Sequence, residues 1–278
     1  MAALPAAASL ELLHNFSLIH DDIEDNSPTR RHRATVWSLW GISQAINVGD
    51  GMLALANLTM GRLFCTGAEP RLVMPAMNAL QEAWLTLTEG QFLDMHFEGL
   101  PEVDLDSYLW MIRDKTAMLL ATSARLGALL AGADNAAIGA YREFGDSMGM
   151  AFQIRDDVLG IWGDEALIGK PTASDIVQRK KTLPVVYTMQ TLGRGGDSPA
   201  LRRLREIYAG PAVSPQALAD VLEILESVGA RSFCEEQVLL YHEQALGHLS
   251  RAAQPACSDA EAVGCLCELA ASLIGRRT

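Results

Sequence analysis

Two apolar helical stretches that each end in neighbouring aspartates constrain this chain more than any other feature. The first stretch ends in Asp21, Asp22 and Asp25, and the second ends in Asp156 and Asp157. Asp21 and Asp25 are four positions apart, so they share one helix face, where like charges repel and weaken the helix unless something neutralises them. Carboxylate oxygens without His or Cys among them suit Mg²⁺, which also accepts the phosphate oxygens of a substrate. The acidic clusters therefore predict a magnesium site.

Basic residues follow both acidic clusters: Arg30, Arg31, Arg33, Lys170, Lys180 and Lys181. Because Arg and Lys bind phosphate, acids for a metal beside bases for phosphate indicate a diphosphate ligand. Lys115 stands in an apolar helical stretch, where an unpaired charge would be costly. The alternatives are that the acids form ordinary solvated salt bridges, for example with Arg155 or Lys170, and that Lys115 extends to solvent.

The composition limits the class of protein. With 278 residues, 49% of them hydrophobic, the chain can form one large domain over residues 1–278. The formal net charge of −12 argues against nonspecific binding to nucleic acid or to an anionic membrane surface. Five cysteines without C-x-x-C spacing indicate thiols, and we find neither a membrane-spanning stretch nor the basic flank of a signal peptide. We therefore predict a cytoplasmic protein without stable membrane insertion.

Helical periodicity recurs along almost the whole chain. Helices are predicted over residues 2–25, 42–65, 71–98, 104–131, 135–162, 182–192, 199–208, 214–228, 230–252 and 258–275. Asp104 or Asp106 would cap the fourth helix, residues 163–181 are predicted to form a polar loop, and no period-two alternation indicates a strand. The predicted fold is all-α, a bundle of about ten helices in which Mg²⁺ and a diphosphate bridge the two acidic clusters across the mouth.

The ordered set of motifs resembles the trans-isoprenyl diphosphate synthase, or polyprenyl synthetase, family over essentially the whole chain. The resemblance is carried by His-Asn-Phe-Ser-Leu-Ile-His-Asp-Asp-Ile-Glu-Asp at 14–25, Arg30-Arg31, Gly90-Gln91 with Asp94, Lys115-Thr116, Phe152-Gln153 with Asp156-Asp157, Gly169-Lys170-Pro171 and Lys180-Lys181-Thr182-Leu183-Pro184. It implies an all-helical prenyltransferase, usually a homodimer, with a deep central cavity. There an allylic diphosphate would condense with isopentenyl diphosphate.

The resemblance also implies roles for individual residues. Asp21, Asp25 and Asp156 would hold two or three Mg²⁺ ions, with Asp22 and Asp157 close by. The residues implied to contact the allylic diphosphate are Arg30, Lys115, Thr116, Gln153, Lys170 and Lys180, with Arg31 contacting isopentenyl diphosphate. Metal and cations would stabilise the departing pyrophosphate, which makes Asp21, Asp25, Asp156 and Lys115 the expected catalytic residues and requires no side-chain nucleophile.

Product length is predicted from the residues one turn before the first acidic motif, which in the family form the floor of the cavity for the growing chain. Phe16 lies five positions before Asp21, Ser17 is next to it, and the motif has no two-residue insertion. This pattern resembles archaeal-type geranylgeranyl diphosphate synthases and favours a C20 product, with C15 as the alternative. Phe16 as an ordinary core residue is the other interpretation.

Two departures from the family pattern bear on function. Gly160 stands where the second motif would carry its third acid, which would weaken metal binding without abolishing it if Asp156 does most of the ligation. The Gly-Gly-Lys-x-x-Arg-Pro element that helps to bind isopentenyl diphosphate is not in the sequence, so we expect a truncated chain or a partly lost second-substrate site. Two alternatives follow: a terpene-synthase-like enzyme that ionises and cyclises the allylic diphosphate, and a noncatalytic subunit of a hetero-oligomeric synthase.

Overall fold

The chain is all-α, as predicted, and the computed structural model describes residues 3–163, 173–253 and 259–275. The helices are α1 (Leu4–Glu24), α2 (Val36–Trp40), α3 (Ile42–Gly61), α4 (Pro70–Glu98), α5 (Leu105–Ile112), α6 (Met118–Leu130), α7 (Asn135–Trp162), α8 (Ser174–Val177), α9 (Leu183–Arg194), α10 (Pro199–Ala209), α11 (Pro215–Ser227), α12 (Ala230–Ala252) and α13 (Ala260–Ile274). Helices α2 and α8 were not predicted, and α8 lies within the segment predicted to be a polar loop. Asp104 caps α5, since its carboxylate accepts a hydrogen bond from the backbone N–H of Ser107.

A short hairpin corrects the prediction that the chain has no strand. Strands β1 (Thr29–Arg30) and β2 (Arg33–Ala34) pair antiparallel, with Arg30 opposite Arg33. Arg31 and His32 form the turn with φ of 50° and 61°, as the primed turns of two-residue hairpins require. Two-residue strands are too short for any alternation to be read from sequence. The hairpin turns the chain back towards the end of α1.

The predicted helix over residues 104–131 is interrupted, because residues Arg113–Ala117 form a π turn between α5 and α6. Helix α4 packs directly against this turn. A Cβ on Gly90 of α4 would lie 2.3 Å from the backbone nitrogen of Lys115, so only glycine permits the approach. Such turns are rare and occur frequently at functional sites.

Helix α7 is fixed at the centre of the fold by its apolar face. Its buried Met150, Ile154 and Val158 recur every four residues and so lie on one side of the helix. They pack with Tyr108, Ile112, Leu183, Val186 and Val238 of the surrounding helices. Each such buried side chain contributes about 1.5–3 kcal/mol. This packing holds the second acidic motif, at the end of α7, in a defined position.

None of the helices in the described ranges combines the length and the apolar character needed to cross a membrane. The four described cysteines are free thiols, of which Cys234 is buried and Cys65, Cys265 and Cys267 are exposed. Cys257 lies outside the described residues.

Candidate active site

A cavity of about 960 Å³ lies between α1, α4, α6 and α7. The charged lining residues at the end with the acidic motifs include Asp21, Glu24, Arg30, Arg31, Lys115 and Asp156, and Glu11 and Asp50 also line the cavity. Its apolar lining includes Leu10, Phe16, Trp84, Leu119, Leu126 and Leu130. The α1 wall runs from Ala3 to Glu24, which at 1.5 Å per residue corresponds to roughly 30 Å of helix. One space therefore joins a charged end, where the acidic motifs lie, to a long apolar end.

Lys115 is paired with acids at the charged end. Its Nζ lies 2.5 Å from Asp94 Oδ2 and 3.3 Å from Asp21 Oδ1, and the side chain is 27% exposed. Burial alone would lower the pKa of Lys115, but the carboxylates of Asp94 and Asp21 outweigh it and raise the pKa. Lys115 is therefore a charged, fixed cation of the cavity rather than a lysine extended to solvent.

The hairpin delivers Arg30 to the first acidic motif. Its Nη2 lies 2.7 Å from Asp21 Oδ2, and its Nε lies 2.7 Å from Asp22 Oδ1. Burial would raise the pKa of Asp21, but Lys115 and Arg30 together hold it below its ordinary value. Asp22 is 5% exposed, and burial raises its pKa despite the contact with Arg30. Asp22 is thus placed to hold Arg30, whereas Asp21 lines the cavity.

The third acid of the first motif, Asp25, pairs with a lysine that lies just before α9. Asp25 Oδ2 lies 3.2 Å from Lys180 Nζ, so the segment before α9 reaches back to α1. Arg31 of the hairpin turn lines the cavity. Lys170, predicted to contact the diphosphate, lies outside the described residues.

The structure separates the two aspartates of the second motif. Asp156 lines the cavity, but Asp157 does not, and it is only 3% exposed. The Asp157 carboxylate accepts hydrogen bonds from the Tyr108 hydroxyl, from the Leu183 backbone N–H at 2.9 Å and from Gln153 Nε2 at 3.1 Å. Burial raises the pKa of Asp157 to about 7. Asp157, predicted to lie close to the metal, therefore has its oxygens bound by donors of the core.

Thr116 and Gln153, both predicted to contact the diphosphate, line the cavity and bind each other. The Thr116 hydroxyl donates to Gln153 Oε1 at 2.8 Å, and Gln153 in turn donates to Asp157. A chain of hydrogen bonds therefore runs from the buried Asp157 to the cavity wall. It fixes the orientation of the Gln153 amide.

Phe16 and Ser17, predicted to set chain length, both line the cavity. Phe16 is 6% exposed and packs edge-on against Trp84, with ring centroids 6.1 Å apart. The Ser17 hydroxyl donates to the His14 carbonyl at 2.8 Å. Phe16 is thus both a core residue and part of the cavity wall, so the two interpretations do not exclude each other. The lining continues past it to Leu10 and Ala6 of α1.

Several polar residues of the site were not predicted as site residues. Asp94 binds Lys115, Tyr108 donates to Asp157, and Gln91 donates to Glu24 at 2.6 Å. The sequence shows Asp94 only as an acid one turn after Gly90 and Gln91, and its pairing with Lys115 depends on the packing of α4 against the π turn. Tyr108 gave no such signal, since an aromatic residue in an apolar stretch is typical of a core.

The donor set of the cavity fits Mg²⁺. Within residues 3–163, 173–253 and 259–275, no three His, Cys, Asp or Glu side chains are grouped closely enough to hold a metal ion. Mg²⁺, however, is usually bound through one or two carboxylates and takes its other ligands from water and substrate phosphates. Asp21 and Asp156 provide carboxylates in the same cavity, which His14 and His20 also line.

The chain is similar in sequence to known prenyl diphosphate synthases. A sequence profile described as "Polyprenyl synthetase" matches residues 1–225. The chain is 42% identical over 254 residues to (2E,6E)-farnesyl diphosphate synthase of Mycobacterium tuberculosis, covering 91% of this chain and 69% of that protein. It is 44% identical over 210 residues to geranylgeranyl diphosphate synthase of the same organism, covering 76% of this chain and 57% of that protein.

A solved structure extends the comparison to the fold. Geranylgeranyl pyrophosphate synthase from Corynebacterium glutamicum, complexed with isoprenyl diphosphate and magnesium, superposes with a TM-score of 0.86 at 29% identity. The match covers 99% of this chain and 79% of that one. The fold and the site define an all-α prenyltransferase. The chain belongs to the polyprenyl synthetase family.

Proposed function

We propose that the chain condenses an allylic diphosphate with isopentenyl diphosphate to a short-chain isoprenyl diphosphate, in a Mg²⁺-dependent reaction that gives a C20 product, with C15 as the alternative. The observation that carries the proposal is the continuity of the cavity from the charged end at Asp21, Lys115 and Asp156 to the apolar end at Leu130. A diphosphate with a long hydrocarbon chain needs a charged site for the diphosphate and an apolar space for the chain within one cavity. The two mycobacterial relatives are named as synthases of farnesyl (C15) and geranylgeranyl (C20) diphosphate, which supports the same size range.

In the proposed reaction, the C–O bond of the allylic diphosphate breaks and its electron pair leaves with pyrophosphate. The isopentenyl double bond then attacks the allylic cation, and a proton passes from the new chain to the pyrophosphate. Arg30, Lys115 and Lys180 stabilise the negative charge that develops on the leaving group. They now pair with Asp21, Asp94 and Asp25, so phosphate oxygens replace these partners when substrate binds.

Asp21, Asp25 and Asp156 would hold Mg²⁺ at this site. The ion supplies Lewis-acid stabilisation of the leaving pyrophosphate. The aspartates act as ligands and not as nucleophiles. Thr116 and Gln153, ordered by their hydrogen bond, present polar groups to the allylic diphosphate, while Arg31 faces the isopentenyl diphosphate. The apolar wall around Phe16 excludes water from the cation intermediate.

We also propose that the active form is a homodimer in the cytoplasm. Helices α3 and α4 carry large apolar side chains that are exposed in the single chain: Leu55, Leu58, Leu85 and Phe92, at 52%, 69%, 61% and 66%. Exposed apolar surface of this kind marks an interaction site, and a second copy of the chain would cover it. The free thiols suit a reducing compartment. Sedimentation equilibrium tests the dimer. We expect wild type to sediment as a dimer and Leu58→Glu as a monomer, because the charged side chain should dissociate the two copies.

A product assay by mass spectrometry tests the activity. The purified chain receives Mg²⁺ and farnesyl diphosphate, with and without isopentenyl diphosphate. We expect a C20 diphosphate only when both substrates are present. Pyrophosphate with a hydrocarbon or alcohol from the allylic substrate alone would instead indicate an ionising cyclase, and no turnover in either tube would indicate a noncatalytic subunit. Omission of Mg²⁺ is the control and should abolish the product.

A further inference from the structure

A second cavity lies next to the first one, which Asp21 and Asp156 line. It has a volume of about 700 Å³ and is formed between α6, α7 and α13. Protein interiors leave few voids larger than a water molecule, so imperfect packing does not account for a space of this size. The volume falls within the range of small-molecule sites, roughly 300–1,000 Å³. The second cavity is therefore large enough for a ligand of its own.

Three helix faces line the second cavity with small or apolar side chains. The lining residues recur every three or four positions along α6, α7 and α13, for example Ala124, Ala128, Phe144, Met148, Val263 and Leu266. Leu269 of α13 also lines the cavity and is 50% exposed, and the buried residue of that helix is Ala270. The described part of the chain thus leaves the apolar face of α13 largely uncovered, and an aliphatic ligand would cover it.

The charged residues that line the second cavity, within the described part of the chain, are two acids. Asp134 and Asp259 cap α7 and α13. Their carboxylates accept hydrogen bonds from the backbone N–H groups of Ala137 at 2.8 Å and Glu261 at 3.0 Å. The described lining contains no Arg, Lys or His, in contrast to that of the first cavity. Because such cations are what holds a phosphate group, the second cavity favours an uncharged ligand over a diphosphate.

Two side chains with hydroxyl groups, Ser123 and Tyr141, interrupt the apolar lining. The Ser123 hydroxyl donates to the Leu119 carbonyl at 2.7 Å within α6. Tyr141 of α7 is half-buried, and a phenolic hydroxyl can donate a hydrogen bond to a ligand oxygen or accept one from it. A few polar groups in an apolar pocket fix the orientation of a ligand. An aliphatic chain with one hydroxyl group matches this lining.

The second cavity shares part of its wall with the first. Leu120, Ser123 and Gly127 of α6 line both cavities, so the two spaces lie on neighbouring faces of one helix. A Cβ on Gly127 would meet no other atom within 4 Å, which leaves this shared edge open. The proposed reaction makes isoprenoid chains in the first cavity. An isoprenoid is therefore the aliphatic compound that is produced nearest to the second cavity.

We propose that the second cavity is a binding site for an uncharged isoprenoid, a prenyl alcohol of the same chain length as the proposed products, whose hydroxyl group binds Tyr141. The apolar helix faces and the acidic rim select an uncharged chain. The choice of an isoprenoid among such chains rests on the proposed function. Prenyl diphosphates bind in the first cavity, where Arg30 and Lys115 supply the cations that the second cavity lacks in its described lining.

Equilibrium dialysis of the full chain against tritiated geranylgeraniol tests the site. An unreactive thiolo analogue of farnesyl diphosphate, added in excess with Mg²⁺, fills the first cavity. The variants are Ala262→Trp, which places an indole ring in the second cavity, Tyr141→Phe, which removes the hydroxyl group, and Ala271→Trp. Ala262 and Ala271 are both exposed on α13, but Ala271 is not part of the lining, so its variant is the matched control. Circular dichroism establishes that each variant is folded.

We expect wild type to bind geranylgeraniol with the analogue present. Ala262→Trp should bind it at least about tenfold more weakly, because the added ring competes for the same volume. Tyr141→Phe should weaken binding about twofold to tenfold, the usual effect of one lost hydrogen bond, and Ala271→Trp should bind like wild type.

Three results would overturn the proposal: no binding of geranylgeraniol to wild type, binding that the analogue abolishes, and binding that Ala262→Trp leaves unchanged. Competition by unlabelled hexadecanol as strong as that by unlabelled geranylgeraniol would overturn the choice of an isoprenoid.

The condensation assay separates this inference from the proposed function. Product formation by a wild-type chain that binds no geranylgeraniol would overturn the second site alone. Geranylgeraniol binding that Ala262→Trp weakens, in a wild-type chain that forms no product, would overturn the condensation and leave the second cavity supported as a site for a prenyl alcohol. A wild-type chain that neither binds geranylgeraniol nor forms product would overturn both.

Discussion

Lys180 Nζ lies 3.2 Å from Asp25 Oδ2, although 155 positions separate the two residues in the chain. The contact brings the residues just before α9 against the end of α1. The next residue, Lys181, points elsewhere: its Nζ donates to the carbonyl oxygens of Phe97 at 2.5 Å and Glu98 at 3.1 Å, at the end of α4. Two adjacent lysines therefore have different tasks.

Replacing Lys180 should impair substrate use and leave the fold intact. We expect Lys180→Ala to lower kcat/KM for the allylic diphosphate roughly tenfold to hundredfold, because a hydrogen bond to a charged group contributes about 1.5–3 kcal/mol. Lys181→Ala is the matched control. It should keep kcat/KM but lower Tm by about 2–4 °C, since the last carbonyls of α4 lose a cationic donor. Equal kinetic losses in the two variants would contradict this assignment.

The two aspartates of the second motif should respond in opposite ways to alanine. Asp157→Ala leaves the Tyr108 hydroxyl and the Leu183 N–H without an acceptor in the core, so we expect a loss on the order of 3 kcal/mol of unfolding free energy. Asp156→Ala should lower kcat at least about 100-fold, with a smaller effect on stability. Urea unfolding and steady-state kinetics measure the two effects. The same pattern in both variants would argue against the separation.

Asp21→Ala should remove activity and leave the helices intact. Lys115 keeps Asp94, and Arg30 keeps Asp22, so neither cation loses its last acidic neighbour. We expect the unfolding free energy to change by about 1 kcal/mol or less, because partly exposed ion pairs contribute little. Circular dichroism and the product assay provide the measurements, with Glu243→Ala as the control. A loss of helicity in Asp21→Ala would count against a metal-binding role.

A smaller residue at position 16 should lengthen the product. The Phe16 ring forms part of the cavity wall against Trp84, and the lining continues beyond it along α1. We expect Phe16→Ala to yield chains longer than those of wild type, at a cost of about 3–5 kcal/mol in stability for the lost core packing. Phe16→Leu, which keeps more volume, should give a smaller shift. Phe64→Ala is the control, since that ring is 56% exposed. An unchanged product in a folded Phe16→Ala would remove Phe16 from chain-length control.

The helical framework was predictable because long apolar periodicities specify it. Helix α7 was predicted over residues 135–162 and is observed as Asn135–Trp162, and its Asp134 cap follows the usual rule. The sequence indicates that Lys115 needs an acid as its partner, since an unpaired lysine in an apolar stretch would be costly. Its partner Asp94 needed the fold, because Asp94 lies on a different helix.

The remaining features depend on tertiary contacts that leave little trace in sequence. Asp156 and Asp157 point about 100° apart on the helix, and the hydrogen bond with Tyr108 holds Asp157 in the core while Asp156 lines the cavity. The contact of Asp175 with Gly160 joins two segments whose approach depends on the burial of Ile176. Sequence alone presented Gly160 only as a missing acid.

The π turn at Arg113–Ala117 has a consequence for the direction of every side chain that follows it. A π turn holds one residue more than an α-helical turn, and one residue corresponds to about 100° of rotation about the helix axis. The turn therefore rotates the side chains of α6 by about 100° about the helix axis relative to those of α5. It lets α5 direct Tyr108 into the core while Thr116, Leu119 and Leu126 all face the cavity. Deleting a single residue here would restore a regular helix and rotate the cavity wall of α6 out of alignment.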